Sequence, residues 1–143
     1  MKLLLDTNII IDVLTKRKGY MASLSLIKYC ELGTAEGFVS ASTVTDVVYI
    51  LRKHLPPNEM KTALHTLFLI VDIANVLKVD ITSAFNSEMR DFEDAVQAAC
   101  ALRIGADYIV TRNLKDFENA PVPSISPENM LEILSGISTN DKV

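Results

Sequence analysis

Short apolar runs alternate with longer segments of helical pattern along the whole chain. The runs lack the alternation of apolar and polar residues that marks a half-exposed strand, so they predict strands that are buried on both faces. They lie at residues 3–5, 37–40, 69–73, 107–111 and 122–126. Strands that alternate with helices favour an α/β domain built around a mostly parallel sheet.

Capping and chain-breaking residues set the predicted helix boundaries. Asn8 is predicted to cap a first helix that reaches about Leu14, and Pro127 is predicted to open the last helix at its first position. The helices after the first are expected at about 20–32, 43–54, 58–68, 80–89, 91–103 and 127–134. Because the residues from Gly136 onward are mostly polar, we expect one domain at residues 1–135 and a flexible tail at 136–143.

Composition supports a compact protein rather than a disordered one. The chain has 143 residues, of which 49% are apolar and 22% are charged, which is enough for a sizeable core. No apolar run approaches the ~20 residues of a membrane-spanning helix, and the N-terminus lacks the layout of a secretory signal. Cys30 and Cys100 lie far apart, which is typical of reduced thiols rather than of a zinc site. We therefore expect a cytoplasmic protein.

The net charge of −4 argues against a generally basic nucleic-acid-binding surface, although a local basic rim is compatible with it. The acidic residues follow a pattern of their own. Asp6 comes directly after the first predicted strand, Asp46 lies early in the helix after the second, and Asp94 lies in the first turn of the helix before the fourth. Asn113 and Asp116 follow the fourth strand. Because parallel strands end at one edge of a sheet and crossovers are right-handed, these side chains are predicted to converge in one cleft.

Converging carboxylates point to a cation. Carboxylates that lie close together repel and raise one another's pKa values, a cost that a divalent ion offsets. A ligand set made only of oxygen atoms favours Mg²⁺ or Mn²⁺. Such ions neutralise phosphate charge and activate water for attack on a phosphodiester, either singly or as a pair. The pattern indicates phosphodiester hydrolysis by activated water, with one ion or two.

Three segments of the chain resemble PIN-domain ribonucleases, many of which are the toxins of VapC-type toxin–antitoxin pairs. The segments are LLLDTNIIIDVL, STVTDVVYILRK and DFEDAVQAACALRIGADYIVTRNLKDF, and the resemblance extends over roughly residues 2–134. It implies a three-layer α/β/α domain with a parallel sheet of four or five strands flanked by helices. It also implies a Mg²⁺- or Mn²⁺-dependent endoribonuclease with an RNA substrate, a small antitoxin as partner, and a homodimer.

The resemblance assigns the catalytic, metal-binding residues. The first acid of the family falls on Asp6 and the third on Asp94. The second is usually glutamate and falls on Asp46, which is one methylene shorter. The fourth position, often aspartate in the family, is Asn113 here, and Asp116 is the alternative that supplies the missing charge.

A further set of residues has supporting roles in this interpretation. Thr111 resembles the family hydroxyl that orients ligands or water. Asp91 is predicted to cap the helix that carries Asp94 and is a second-rank ligand candidate. Asn8 is expected to hold the loop of Asp6, and Glu93 is expected to be solvated. The candidate RNA phosphate contacts are Arg112, Lys115 and Arg17.

Two other functions fit the same pattern. A degenerate PIN domain would bind RNA or a partner protein without cleavage, which Asn113 and the shorter acid Asp46 favour. A phosphoryl-transfer enzyme of the response-regulator or phosphatase type also gathers aspartates at strand ends, but it requires a phosphorylated aspartate and usually a lysine near the cleft. Mg²⁺ or Mn²⁺ should stabilise the nuclease but not the degenerate domain, and this difference distinguishes the two.

Overall fold

The structure is a computed structural model that describes residues 1–140, with side chains described for residues 1–137. Its centre is a parallel sheet of five strands in the order β3-β2-β1-β4-β5. The strands are β1 (Lys2–Leu5), β2 (Glu36–Ser40), β3 (Asp72–Ala74), β4 (Tyr108–Val110) and β5 (Ser124–Ile125). The sheet confirms the predicted α/β class.

Seven α-helices flank the sheet within the described residues. They are α1 (Thr7–Thr15), α2 (Tyr20–Glu31), α3 (Ala41–Leu51), α4 (Pro57–Leu67), α5 (Lys78–Phe85), α6 (Phe92–Arg103) and α7 (Pro127–Asn140), and a 3₁₀ turn spans Leu114–Phe117. In the described part of the chain, residues 1–140, no helix combines the length and the hydrophobicity needed to cross a membrane.

The two faces of β1 pack into two separate cores. Leu3 and Leu5 lie in a core that also includes residues of α1, α2, α3, α4 and α7. Leu4 points to the opposite face and packs with residues of α5 and α6. All three leucines have 0% exposure, because helices cover the sheet on both sides. This burial explains the continuous apolar run and confirms the predicted three-layer arrangement.

Strand order brings the ends of β1 and β4 together. The chain passes from β1 to β2 and β3 on one side of the sheet and then returns to place β4 on the other side of β1. Leu5 pairs with Val110, and the backbone N–H of Asp6 donates to the Val110 carbonyl at 3.0 Å. Sites in open parallel sheets form at such a reversal of strand order, outside the carboxyl ends of the strands.

The third strand and the helix starts differ from the predicted boundaries. Residues 69–71 form the end of the turn after α4, because the N–H groups of Ile70 and Val71 both donate to the Leu67 carbonyl at 2.9 Å. An apolar run alone does not show where the turn gives way to the strand. The helix start predicted near Asn58 is one residue earlier, at Pro57. The fifth helix begins at Lys78, before the predicted start.

Asn8 is not the cap of α1, contrary to the sequence-based prediction. Asp6 occupies the N-cap position with extended backbone angles, φ −63° and ψ 150°, and Asn8 lies inside the first turn. The Asp6 side chain forms no capping hydrogen bond within α1. The position is nevertheless extended, because Asp6 continues the pairing of β1 with β4 before the helix begins.

The last helix extends beyond the predicted domain boundary at residue 135. Residues 136–140, predicted to be tail, continue α7. Met130 and Leu134 have 0% exposure, and Ile137 packs against the same core. Their spacing places them on one helix face, which gives the helix a reason to continue. Residues 141–143 of the predicted tail lie outside the described residues.

Candidate functional site

Asp6 is buried where three elements meet at the carboxyl edge of the sheet. Its exposure is 3%. Its Oδ2 accepts a hydrogen bond from the Thr111 hydroxyl at 2.9 Å, and its Oδ1 accepts one from Nε2 of Gln97 at 3.3 Å. Thr111 follows β4, and Gln97 lies on α6. Asp6 is therefore held from the neighbouring strand and from the helix layer.

The pKa of Asp6 is raised above its ordinary value, chiefly because burial removes the carboxylate from water. Hydrogen bonds from Thr111, Gln97 and the Thr7 backbone lower the pKa, and the charge of Asp116 raises it again. The hydrogen bonds offset the desolvation only in part. The anionic form is consequently costly in this position, and a nearby cation would stabilise it.

Asp94 lies in the first turn of α6 and shares the electric field of Asp6. Its pKa rises to about 7, with burial as the largest cause, followed by the charges of Asp91, Asp6, Asp116 and Glu93. Asp94 is half-buried, whereas Asp116, in the 3₁₀ turn after β4, is exposed. The structure therefore groups three of the predicted acids electrostatically: Asp6, Asp94 and Asp116.

Asp46 interacts with a different acid from those that the sequence suggested. Its pKa is raised chiefly by burial, and then by the charge of Asp91, while a side-chain hydrogen bond with Glu93 lowers it. The pKa of Glu93 is raised first by the charge of Asp46 and then by burial. Glu93 is exposed, as expected of a solvated acid, and its charge and that of Asp46 act on each other.

Asp91 caps α6, as the sequence predicted. Its Oδ1 accepts a hydrogen bond from the Asp94 N–H at 2.9 Å. Its charge also raises the pKa values of Asp46, Glu93 and Asp94. Asp91 therefore links the pair Asp46–Glu93 to the group around Asp6, while its own side chain is exposed.

The acids supply the right ligand chemistry for a hard cation but not a preassembled site. All candidate ligands are oxygen atoms, which suit Mg²⁺ and Mn²⁺. Within residues 1–140, however, no three histidine, cysteine, aspartate or glutamate side chains lie close enough together to hold a metal ion as they stand. Because like charges repel, the carboxylates do not converge by themselves, and they would have to rotate toward a shared ion. The donor set fits such an ion in its chemistry, and the exposed side chain of Asp116 has room to move.

A cavity of about 230 Å³ opens beside the acids. Asp94 and Asp116 line it together with two basic residues, Arg90 and Lys115. Lys115 is one of the predicted phosphate contacts. Sequence reasoning missed Arg90, although its position next to the helix cap Asp91 was a usable signal.

Arg112, a predicted phosphate contact, forms an ion pair with a buried acid. Its Nε lies 2.5 Å from Oδ2 of Asp12, whose exposure is 1%. Burial raises the pKa of Asp12, and the charges of Arg112 and Arg17 lower it. The charges of Arg112 and Arg17 therefore both act on Asp12, which lies in α1. Asp12 was also missed, although an aspartate within the apolar run of α1 indicates a buried charge that needs a partner.

Asn113 and Thr111 support the loop after β4. The Asn113 N–H donates to the Thr111 hydroxyl at 3.0 Å, and Thr111 has 0% exposure. The expected orienting role of Thr111 agrees with its bond to Asp6. Asn113 contributes its backbone to this chain of bonds, and its side chain is exposed.

Known proteins share this fold. A family model described as PIN domain matches residues 2–115. A comparison of the sequence with curated proteins gives no match. Solved structures with the same fold include VapBC2, a toxin–antitoxin complex and the toxin VapC20.

VapBC2 from Rickettsia felis, bound to a DNA fragment from its promoter, has 18% identity and a TM-score of 0.70, and the match covers 88% of this chain and 98% of that one. A toxin–antitoxin complex from Klebsiella pneumoniae has 24% identity and a TM-score of 0.66, covering 87% and 97%. VapC20 from Mycobacterium tuberculosis, a sarcin–ricin loop cleaving toxin, has 14% identity and a TM-score of 0.60, covering 75% and 86%. These likenesses show a shared VapC-like fold. Because the family model spans most of the chain and the fold agrees with it, the chain belongs to the PIN domain family.

Proposed function

We propose that the protein is a Mg²⁺- or Mn²⁺-dependent endoribonuclease and the toxin of a toxin–antitoxin pair. The observation that carries this proposal is the placement of Asp6. It is buried at the reversal of strand order, and its charge adds to the burial of Asp94 and the charge of Asp91 in raising the pKa of Asp94 to about 7. A fold gains nothing in stability from two acids in this arrangement, so a bound cation accounts for them best.

Asp6, Asp94 and Asp116 would hold the ion, with Asp46 as the fourth acid and Glu93 beside it. Asp116 is favoured over Asn113, because the charge of Asp116 acts on both Asp6 and Asp94. Asn113 instead supports Thr111. A bound divalent ion neutralises phosphate charge and activates water for hydrolysis.

The chain's own residues position the reacting groups and the substrate. Thr111 and Gln97 hold the Asp6 carboxylate in one orientation. Arg90 and Lys115 line the cavity beside Asp94, where their positive charges would bind RNA phosphates next to the one that is cleaved. Phosphate contacts of this kind explain how a protein of net charge −4 binds RNA locally.

The decisive experiment is RNA cleavage with Mn²⁺ by the wild type, Asp6→Asn and Asp94→Asn. Asp107→Asn is the matched control, because Asp107 is an exposed acid that precedes β4 and bonds to the Lys2 backbone at the opposite edge of the sheet. We expect cleavage by the wild type and the control and strong loss in the two site variants. Equal cleavage by all four proteins would reject the proposed site.

A second function has one observation in its favour. The described residues contain no preassembled group of three metal-binding side chains. A PIN domain that binds RNA or a partner protein without cleavage would also lack such a group. Thermal unfolding with added Mg²⁺ or Mn²⁺ separates the two. The nuclease is stabilised by the ions because they bind only the folded state, whereas the degenerate domain is not.

The toxin role and its partners are supported by the solved relatives. The Rickettsia felis and Klebsiella pneumoniae structures are toxin–antitoxin assemblies, so we propose a small antitoxin as partner. Expression of the wild-type protein should then arrest growth, and expression of Asp94→Asn should not. Growth arrest by both would separate toxicity from the proposed site. A homodimer stays a prediction, which sedimentation of the purified chain would test.

A further inference from the structure

Gln97 is a buried polar side chain beside the acids that the sequence did not single out. Its exposure is 3%, and it lies three residues after Asp94 on α6, where every other buried residue is apolar. Buried amides normally bond through both their donor and acceptor atoms. Here the Nε2 donates to Asp6 at 3.3 Å, and the Oε1 has no partner within the part of the chain described. A purely structural glutamine would be better satisfied.

Two side-chain donors hold the Asp6 carboxylate from both sides. Thr111 donates to Oδ2, and Gln97 donates to Oδ1. One donor would leave the carboxylate free to rotate, whereas two donors on different oxygen atoms define its plane. The carboxylate offers about four acceptor positions in total, so these bonds leave positions open for a cation.

The chemistry of the amide suits an acid that has to remain charged. A lysine or arginine at this position would form an ion pair with Asp6 and compete with a metal ion. A carboxylate would repel Asp6, and an apolar side chain would leave Oδ1 without a donor. An amide donates a hydrogen bond and adds no net charge. It therefore orients Asp6 without neutralising it.

We infer that Gln97 is a positioning residue that holds Asp6 in the orientation needed to bind the cation. This inference rests on the proposed function, because it assigns Gln97 a role at the same metal site. Groups that bond to a metal ligand commonly change metal affinity by about 10–100-fold when they are removed. Folding stability is expected to fall only modestly, because the buried Oδ1 of Asp6 loses its donor while the unpaired Oε1 of Gln97 is removed as well.

The test compares Mn²⁺ affinity, measured by isothermal titration calorimetry, with the Tm of the metal-free protein. Gln97→Met keeps the length of the side chain and removes the donor. We expect Mn²⁺ binding to weaken by at least about 10-fold, while the Tm without metal falls only modestly. Gln97→Asn retains the amide but shortens its reach by one methylene, and it should also weaken binding.

Val96→Ala is the control for general loosening of α6, since Val96 is buried in the adjacent core with 3% exposure. It should lower the Tm and leave Mn²⁺ affinity unchanged. Wild-type affinity in both Gln97 variants, or equal weakening by Val96→Ala, would overturn the inference while leaving the proposed function intact. Absence of Mn²⁺ binding by the wild type would overturn both the inference and the proposed function. Asp94→Asn, which should lose the site, is the reference for absent binding.

Discussion

Replacement of Asp94 by asparagine should stabilise the metal-free protein while it removes the proposed metal site. The pKa of Asp94 rises from its ordinary 3.8 to about 7 in the folded protein. The folded state therefore binds more protons than the unfolded state between these two values. Its stability falls as the pH rises through this range. Asparagine has nearly the same shape and no charge, so it avoids this loss.

The size of the effect follows from the pKa shift and the burial of the side chain. A shift of roughly three pKa units, at about 1.4 kcal/mol each, gives an upper bound of about 4 kcal/mol. Because Asp94 is only half-buried, we expect solvent screening to reduce this to about 1–2 kcal/mol. In a domain of this size, such a gain raises the Tm by roughly 3–8 °C.

The assay is thermal and urea unfolding in the presence of a chelator, for the wild type, Asp94→Asn and the control Asp107→Asn, over a series of pH values. The difference between Asp94→Asn and the wild type should be small at acidic pH and grow through the window from 3.8 to about 7. Asp107→Asn shows the effect of removing a carboxylate at the opposite edge of the sheet. A difference that does not change with pH, or a destabilised Asp94→Asn at alkaline pH, would refute the reasoning.

Three other substitutions test separate parts of the structure. Thr111→Val removes the hydroxyl bonded to Asp6 at 2.9 Å, and titration calorimetry should show Mn²⁺ binding weakened by about 10-fold or more; unchanged affinity would contradict the role of this bond. Arg112→Met removes the ion-pair partner of the buried Asp12 and leaves it only the charge of Arg17; because Arg112 is 38% exposed, we expect a loss of about 1–2 kcal/mol in urea unfolding, and an unaffected midpoint would show that the pair contributes nothing. Lys115→Ala should raise the KM for RNA and reduce the salt dependence of RNA binding by about one unit of slope, with Mn²⁺ affinity as the control that stays constant. An unchanged salt slope would place the phosphates elsewhere.

Local sequence determined which elements form and where the acids lie along the chain. Three consecutive leucines followed by Asp6 predict a buried strand that ends at an acid. The structure confirms the burial, because helices cover both faces of β1. Asp91 was recognisable as a helix cap because capping depends on a residue three positions away. Features of this kind depend on contacts within a few residues, so a linear pattern records them.

Tertiary structure alone decided which acids act on one another and what holds them. Gln97 and Thr111 reach Asp6 across 91 and 105 residues of sequence, and no local pattern encodes such a bond. The pairing of Asp46 with Glu93 likewise depends on how α3 packs beside α6. Strand order brings β1 and β4 together, and the packing of whole helices then sets the distances between side chains. Those distances and the burial that comes with them, rather than the order of residues, determine the charge state of the site.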